Sequence, residues 1–230
     1  MFVFPSNILP IFVIGIIAIL FGIRSIIYYN KVRSPLFKYL GWGTILFGMS
    51  SLFLVMPYIF TPSSDIIKII VTISNILYIA ALFIMFRIIW YLGFRKSISY
   101  YWMFWPVLIL STVSLGLDLQ KRVNADYYLA GNIAYYSAHA TSTYILALLS
   151  LSIVVVGILT IRQANEITEK IQRNRIKVIG MMFLLAGLVV EYNFLFNKVQ
   201  NSILNSIVAL IIDVILVGIL IFFTRHKVSK

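Results

Sequence analysis

The chain has no cysteine and two histidines, His139 and His226, among its 230 residues. These absences argue against disulfides, thiolate metal sites, thiol nucleophiles and a haem held by paired histidines on facing helices. Carboxylates are also scarce, with seven Asp and Glu in all. None of them pairs at helical spacing inside an apolar run, and no Gly-rich phosphate loop, HExxH or GxSxG occurs. No cofactor is expected, and the chain does not read as an enzyme.

Hydrophobic residues, by contrast, make up 61% of the sequence, and charged residues 11%. A soluble domain this small has no interior large enough for that composition. A helix rises about 1.5 Å per residue and the hydrocarbon core is about 30 Å thick, so a span needs roughly 20 apolar residues. Runs of that kind cover Ile8 to Tyr29, Leu40 to Phe60, Ile66 to Trp90, Tyr101 to Leu117, Asn132 to Ile161, Val178 to Phe196 and Ile203 to Phe223. The expected fold is all-α: a polytopic seven-transmembrane helix bundle, one domain over residues 1–230, multi-pass in the cell membrane.

The net charge of +12 reports topology rather than nucleic-acid binding. Fifteen of the 19 basic residues fall on the side that holds the first-to-second, third-to-fourth and fifth-to-sixth connections; Lys68, Lys121, Arg122 and Lys198 fall on the other. The positive-inside rule then puts the N-terminus outside and the C-terminus in the cytoplasm. Met1 to Asn7 lacks a basic segment, so the first span is expected to stay in place of being cleaved as a signal peptide.

Trp42, Trp90, Tyr91, Tyr100, Tyr101 and Trp102 flank the spans, where amphipathic rings favour the headgroup layer. Pro57 and Pro62 mark the end of the second span, and Pro106 is expected to kink the fourth or displace its start toward the extracellular half. Gly15, Gly22, Gly43, Gly180, Gly187 and Gly218 let helix backbones approach, although no strict GxxxG is present. The segment Asp118 to Asn132 reads as a solvated outer connection or a lid. Arg162 to Lys177 extends the fifth helix, with Glu166–Lys170 and Glu169–Arg173 in favourable ion-pair order, and reads first as a solvated helical hairpin and second as a docking surface. Arg24 and Arg87 lie within snorkelling reach of the inner interface.

Polarity at membrane depth costs about 2.5 to 3.5 kcal/mol per charged residue, so each instance needs a partner or a purpose. Asn132, Tyr135, Tyr136, His139, Ser142 and Thr143 recur at spacings that share one face of the fifth span. With Asn75 and Tyr78 on the third span and Glu191 and Tyr192 on the sixth, they suggest an outer pocket for a small-molecule ligand. The candidate ligand-binding residues are Asn75, Tyr78, His139, Glu191 and Tyr192. Ser and Thr bonding back to their own helix, with Tyr and Asn bonding between helices, explains the same stripe without a ligand. Asp213, close to the middle of the seventh span, is either a neutral acid bonded to a neighbouring helix or an ion and proton site.

Asp213-Val214-Ile215-Leu216-Val217-Gly218 resembles the last helix of microbial rhodopsins, but Val217 stands where their Schiff-base lysine is needed. The loops YYNKVRSPLFKYLGWG and FRKSISYYW, with RQANEITEKIQRNRIKVIGMMF entering a Gly-containing sixth helix, resemble the seven-transmembrane sensor region of prokaryotic histidine kinases. That resemblance implies a sensor for signal transduction whose basic inner loops contact a cytoplasmic or membrane protein partner, with the output on another chain or in further sequence. A small transporter or ion channel using Asp213, and a structural subunit of a larger membrane complex, are the alternative expectations. High Ile, Tyr and Asn usage points to an AT-rich prokaryotic genome.

Overall fold

A computed structural model describes residues 8–60, 64–95, 97–120, 129–130, 133–134 and 140–196. Six α-helices run through these residues: α1 (Ile8–Val32), α2 (Pro35–Phe60), α3 (Ser64–Ile89), α4 (Tyr100–Gln120), α5 (Ala140–Ala164) and α6 (Lys170–Phe196). A π-helical turn, Trp90–Phe94, continues α3. Five helices are long and apolar enough to cross a membrane, with spans at Ile11–Lys31, Pro35–Pro57, Ile69–Phe94, Tyr100–Gln120 and Thr141–Ala164. Apolar segments take this form because hydrocarbon offers the backbone no hydrogen bonds, and a helix satisfies its own. The chain is a multi-pass membrane protein. The expected seventh span, Ile203 to Phe223, lies outside the described residues.

Three differences from the expected boundaries bear on the polar residues. The fifth helix starts at Ala140 rather than Asn132, because Leu129–Ala130 (β1) and Ile133–Ala134 (β2) pair antiparallel before it. It also stops at Ala164: Asn165, Glu166 and Ile167 each donate their backbone N–H to the carbonyl three residues back, tightening the chain into a turn. Glu166 and Glu169 are therefore off the helix, and the expected ion pairs with Lys170 and Arg173 do not form. The fourth helix continues past Leu117 to Gln120 and carries Asp118 in its last turn.

The α1–α2 connection is two residues long and turns on Arg33, whose φ of 57° is left-handed. Its N–H donates to the Tyr29 carbonyl at 2.7 Å, closing α1, and Pro35 starts α2 where no N–H is needed. A side chain in this conformation is strained by roughly 1 kcal/mol relative to glycine. Arg33→Gly is accordingly expected to raise the melting temperature of the detergent-solubilised protein slightly; a lower value would show that the strain is not there.

α3 is the central helix, packed against α2, α4 and α5. Tyr78, Ile79, Leu82, Met85, Ile88 and Ile89 are its buried residues in the main core. α1 pairs with α2 and α5 with α6 along glycine seams. A Cβ on Gly22 would sit 2.6 Å from the Gly41 carbonyl oxygen, and one on Gly48 would sit 2.5 Å from that of Gly15. In the second pair, a Cβ on Gly157 would lie 2.6 Å from the Leu184 nitrogen, and one on Gly187 would lie 2.9 Å from the Val154 nitrogen. The glycines recur every seven residues, not every four: Gly15 and Gly22, Gly41 and Gly48, Gly180 and Gly187.

Outward faces are apolar, with Leu20, Ile27, Ile109 and Leu148 exposed. Apart from Tyr78, whose hydroxyl is buried, the buried polar side chains among the described residues are Ser or Thr. Several bond back to their own helix, as Ser25 does to the Phe21 carbonyl (2.9 Å), Thr44 to Leu40 (2.8 Å) and Thr160 to Val156 (2.7 Å). Such residues suit helix packing in lipid, where an apolar side chain gains no more from a neighbour than from an acyl chain.

Candidate functional site

Hydroxyls that do not bond back to their own helix concentrate where α3, α4 and α5 meet, at the end of the bundle remote from Arg87 and Arg95. On α4, Ser111, Ser114 and Asp118 follow one another at spacings of three and four and so share a face. Ser142 lies in the first turn of α5, and Asn75 lies on α3 next to Ser74.

Asp118 joins the three helices. Its Oδ2 accepts from the Ser142 hydroxyl at 2.7 Å and from the Asn75 amide Nδ2 at 3.3 Å. Ser142 and Ser114 are 2.7 Å apart, oxygen to oxygen. A hydroxyl has one proton, and that of Ser142 goes to the carboxylate, so Ser114 is the donor to Ser142. The result is an ordered chain from Ser114 through Ser142 to Asp118. One turn further along α4, the Ser111 hydroxyl is buried with no hydrogen-bond partner among the described residues. On the other side of Asn75, Ser74 donates to the Ser50 carbonyl oxygen at 2.8 Å and ties α3 to α2.

The position of Asp118 is electrostatically unfavourable within its own helix. It lies in the last turn of α4, where the unsatisfied carbonyls concentrate negative partial charge, and no basic residue accompanies it there. It is half-buried, and it accepts from a hydroxyl on α5 and an amide on α3. Amide and hydroxyl groups supply orientation and one charge supplies attraction, the usual economy of a small polar-ligand site.

Of the residues expected from sequence, Asn75 lies in this cluster. Tyr78, one turn along α3, is buried with its ring 6.0 Å from that of Phe47 on α2. Glu191 and Tyr192 fall within the helical part of α6, while their side chains, like His139 and Asp213 as whole residues, lie outside the described residues. Ser142, part of the expected polar stripe, is fully buried in the cluster. Asp118, the residue that organises the site, is expected in the outer connection and lies instead in the last turn of α4. The three- and four-residue spacing of Ser111, Ser114 and Asp118 was the signal that could have placed it on a helix face. Among the described residues no three His, Cys, Asp or Glu gather as a metal-ion site. No known protein family, curated protein or solved structure matches this chain.

Proposed function

We propose that the chain is a membrane sensor or accessory protein in which Asn75, Asp118 and Ser142 bind a small cationic ligand and the opposite, basic end contacts a protein partner. The observation that carries this reading is the carboxylate of Asp118 held by donors from two other helices. A cation at that carboxylate competes with or reorients those donors, and each donor belongs to a different helix. Ligand affinity then depends on how α3, α4 and α5 are arranged, which is the differential binding that coupling between two ends of a bundle requires. The seven-span topology with the N-terminus outside, inferred from the basic residues, would put the cluster on the outer side and the partner surface in the cytoplasm. The likeness to histidine-kinase sensor regions supports the same assignment, and His139, Glu191 and Tyr192 remain candidates to complete the site.

The test uses the isosteric variant Asp118→Asn, which keeps the shape and removes the charge. Alkali, alkaline-earth and small ammonium ions are screened for thermal stabilisation of wild type and variant in detergent; a ligand at 100 times its Kd adds about 2.7 kcal/mol. One class of cation is expected to stabilise wild type and leave the variant unchanged. Because the chain has no cysteine, spin labels at Ser97→Cys and Glu166→Cys, both exposed, then report the basic end. The effective ion should shift their separation by roughly 1 to 2 Å, the scale of helix displacements in switching proteins. Equal effects of all ions on both proteins would refute the site, and stabilisation without a distance change would refute the sensor.

The hydroxyl chain Ser114–Ser142–Asp118 favours a second reading, a small transporter or proton channel in which Asp118 works with Asp213. Proton flux in proteoliposomes that is lost in Asp118→Asn and in Asp213→Asn would favour it over the sensor.

A further inference from the structure

At the basic end of the bundle, α3 passes into the π-helical turn Trp90–Phe94 before the chain returns through Ser97, Ile98 and Ser99 into α4. Such turns often accompany binding sites, because the added residue displaces the side chains that follow it. The return is pinned where the Trp90 indole N–H donates to the Ile98 carbonyl at 2.6 Å. Between these segments is a cavity of about 660 Å³, within the ~300 to 1,000 Å³ typical of small-molecule sites. Arg87, Arg95, Ser99, Tyr100 and Tyr101 contribute to its lining.

Arg87 is held in an aromatic clamp. Its guanidinium carbon is 4.3 Å from the Tyr100 ring centroid, 4.7 Å from that of Trp90 and 5.9 Å from that of Tyr39. Arg95 lies 5.2 Å over the Tyr91 ring. Ring faces attract the cation and leave its in-plane N–H donors unused. Neither arginine has a hydrogen bond or an ion pair to any described residue. The sequence explains why: no Asp or Glu occurs anywhere between Asp65 and Asp118. Two guanidiniums thus face one cavity with their forks unfilled and no counter-charge on their own segment.

A planar fork of donors matches the oxygens of a phosphate. The cavity also has a lipid side. Tyr101, which lines it, begins a stripe of exposed apolar residues on α4 that continues through Trp105, Ile109 and Val113 at intervals of four. We propose that the cavity holds the phosphate of an anionic phospholipid, clasped by Arg87 and Arg95, with its acyl chains along the Tyr101–Val113 stripe. The headgroup is anionic rather than zwitterionic because no carboxylate on this segment would meet an ammonium, and the rings that would cage one already cover the arginines.

The full chain is tested by native mass spectrometry from detergent containing phosphatidylglycerol and phosphatidylcholine in equal amounts. Wild type should retain phosphatidylglycerol selectively. Arg87→Gln and Arg95→Gln should each lose that retention by roughly tenfold, the scale of one charge-assisted contact. Arg162→Gln, an exposed basic residue at the same end and outside the cavity, should keep it. Should Arg87→Gln not fold, Arg95→Gln alone decides, since Arg95 is exposed and its replacement removes no core contact. Equal losses in Arg162→Gln would reduce the effect to diffuse surface charge and overturn the proposal. So would full competition by millimolar inorganic phosphate, which would make the site one for a free anion. Equal retention of both lipids would overturn it as well.

Discussion

Gly22→Leu is expected to dismantle the packing of α1 on α2. A Cβ at position 22 would already lie 2.6 Å from both the Gly41 carbonyl oxygen and Ile45 Cγ1, and 2.7 Å from Thr44 Oγ1. The first of these is backbone and cannot rotate away, so a leucine must push the helices apart along their whole seam. Overpacking a core costs about 1 to 3 kcal/mol when side chains can adjust, and here they cannot. The variant should exceed that range, shown as loss of a monodisperse peak in detergent and a melting temperature lower by ten degrees or more on the scale of roughly 2 to 4 °C per kcal/mol. Gly116→Leu supplies the control, because a Cβ there meets nothing within 4 Å. If Gly22→Leu and Gly116→Leu melted alike, the close approach of α1 and α2 would be wrong.

Asp118→Leu is expected to be the most damaging change at the polar cluster. It leaves the Ser142 hydroxyl, fully buried, and the Asn75 amide without their carboxylate acceptor. A stranded buried donor costs about 1 to 3 kcal/mol, so the sum should reach roughly 2 kcal/mol or more, read as reduced resistance to unfolding in mixed micelles. Adding Asn75→Leu removes one of the two stranded donors, and the double variant should recover about 1 kcal/mol relative to additivity. Strict additivity would mean that Asn75 and Asp118 do not interact. A stable Asp118→Leu protein would remove the carboxylate from its organising role.

Five spans were legible in the sequence because hydrocarbon imposes a length and a composition that few other solvents demand. α1, α2 and α3 follow their apolar runs and extend a turn or so into flanking charged residues, since a helix does not stop where hydrophobicity does. The same extension moves Asp118: the apolar run ends at Leu117, whereas α4 continues to Gln120 and presents Asp118 to Ser142. The turn after Ala164 falls inside the hairpin expected over Arg162 to Lys177, but ion-pair order does not locate it: Glu166–Lys170 and Glu169–Arg173 favour helix across it, and the return of α6 onto α5 through Gly157 and Gly180 sets where the chain turns. The sequence expectation for Arg87 is snorkelling toward the inner interface; the structure adds three rings around it, from α2, the π turn and α4, and no sequence period connects Tyr39, Trp90 and Tyr100.

Contact between two rods at one point fixes a distance, while contact at two points also fixes an angle. In the α1–α2 pair the glycine contacts at 15–48 and 22–41 are separated by seven residues on each helix, about 10 Å of rise. A scissoring motion would open one junction as it compressed the other, so this hairpin behaves as a single plank, and the α5–α6 pair, touching at Gly157–Gly180 and Val154–Gly187, is restrained in the same way. Among the described helices, deformation imposed by the membrane or a ligand then falls on α3 and α4, which carry no such pair of glycine contacts.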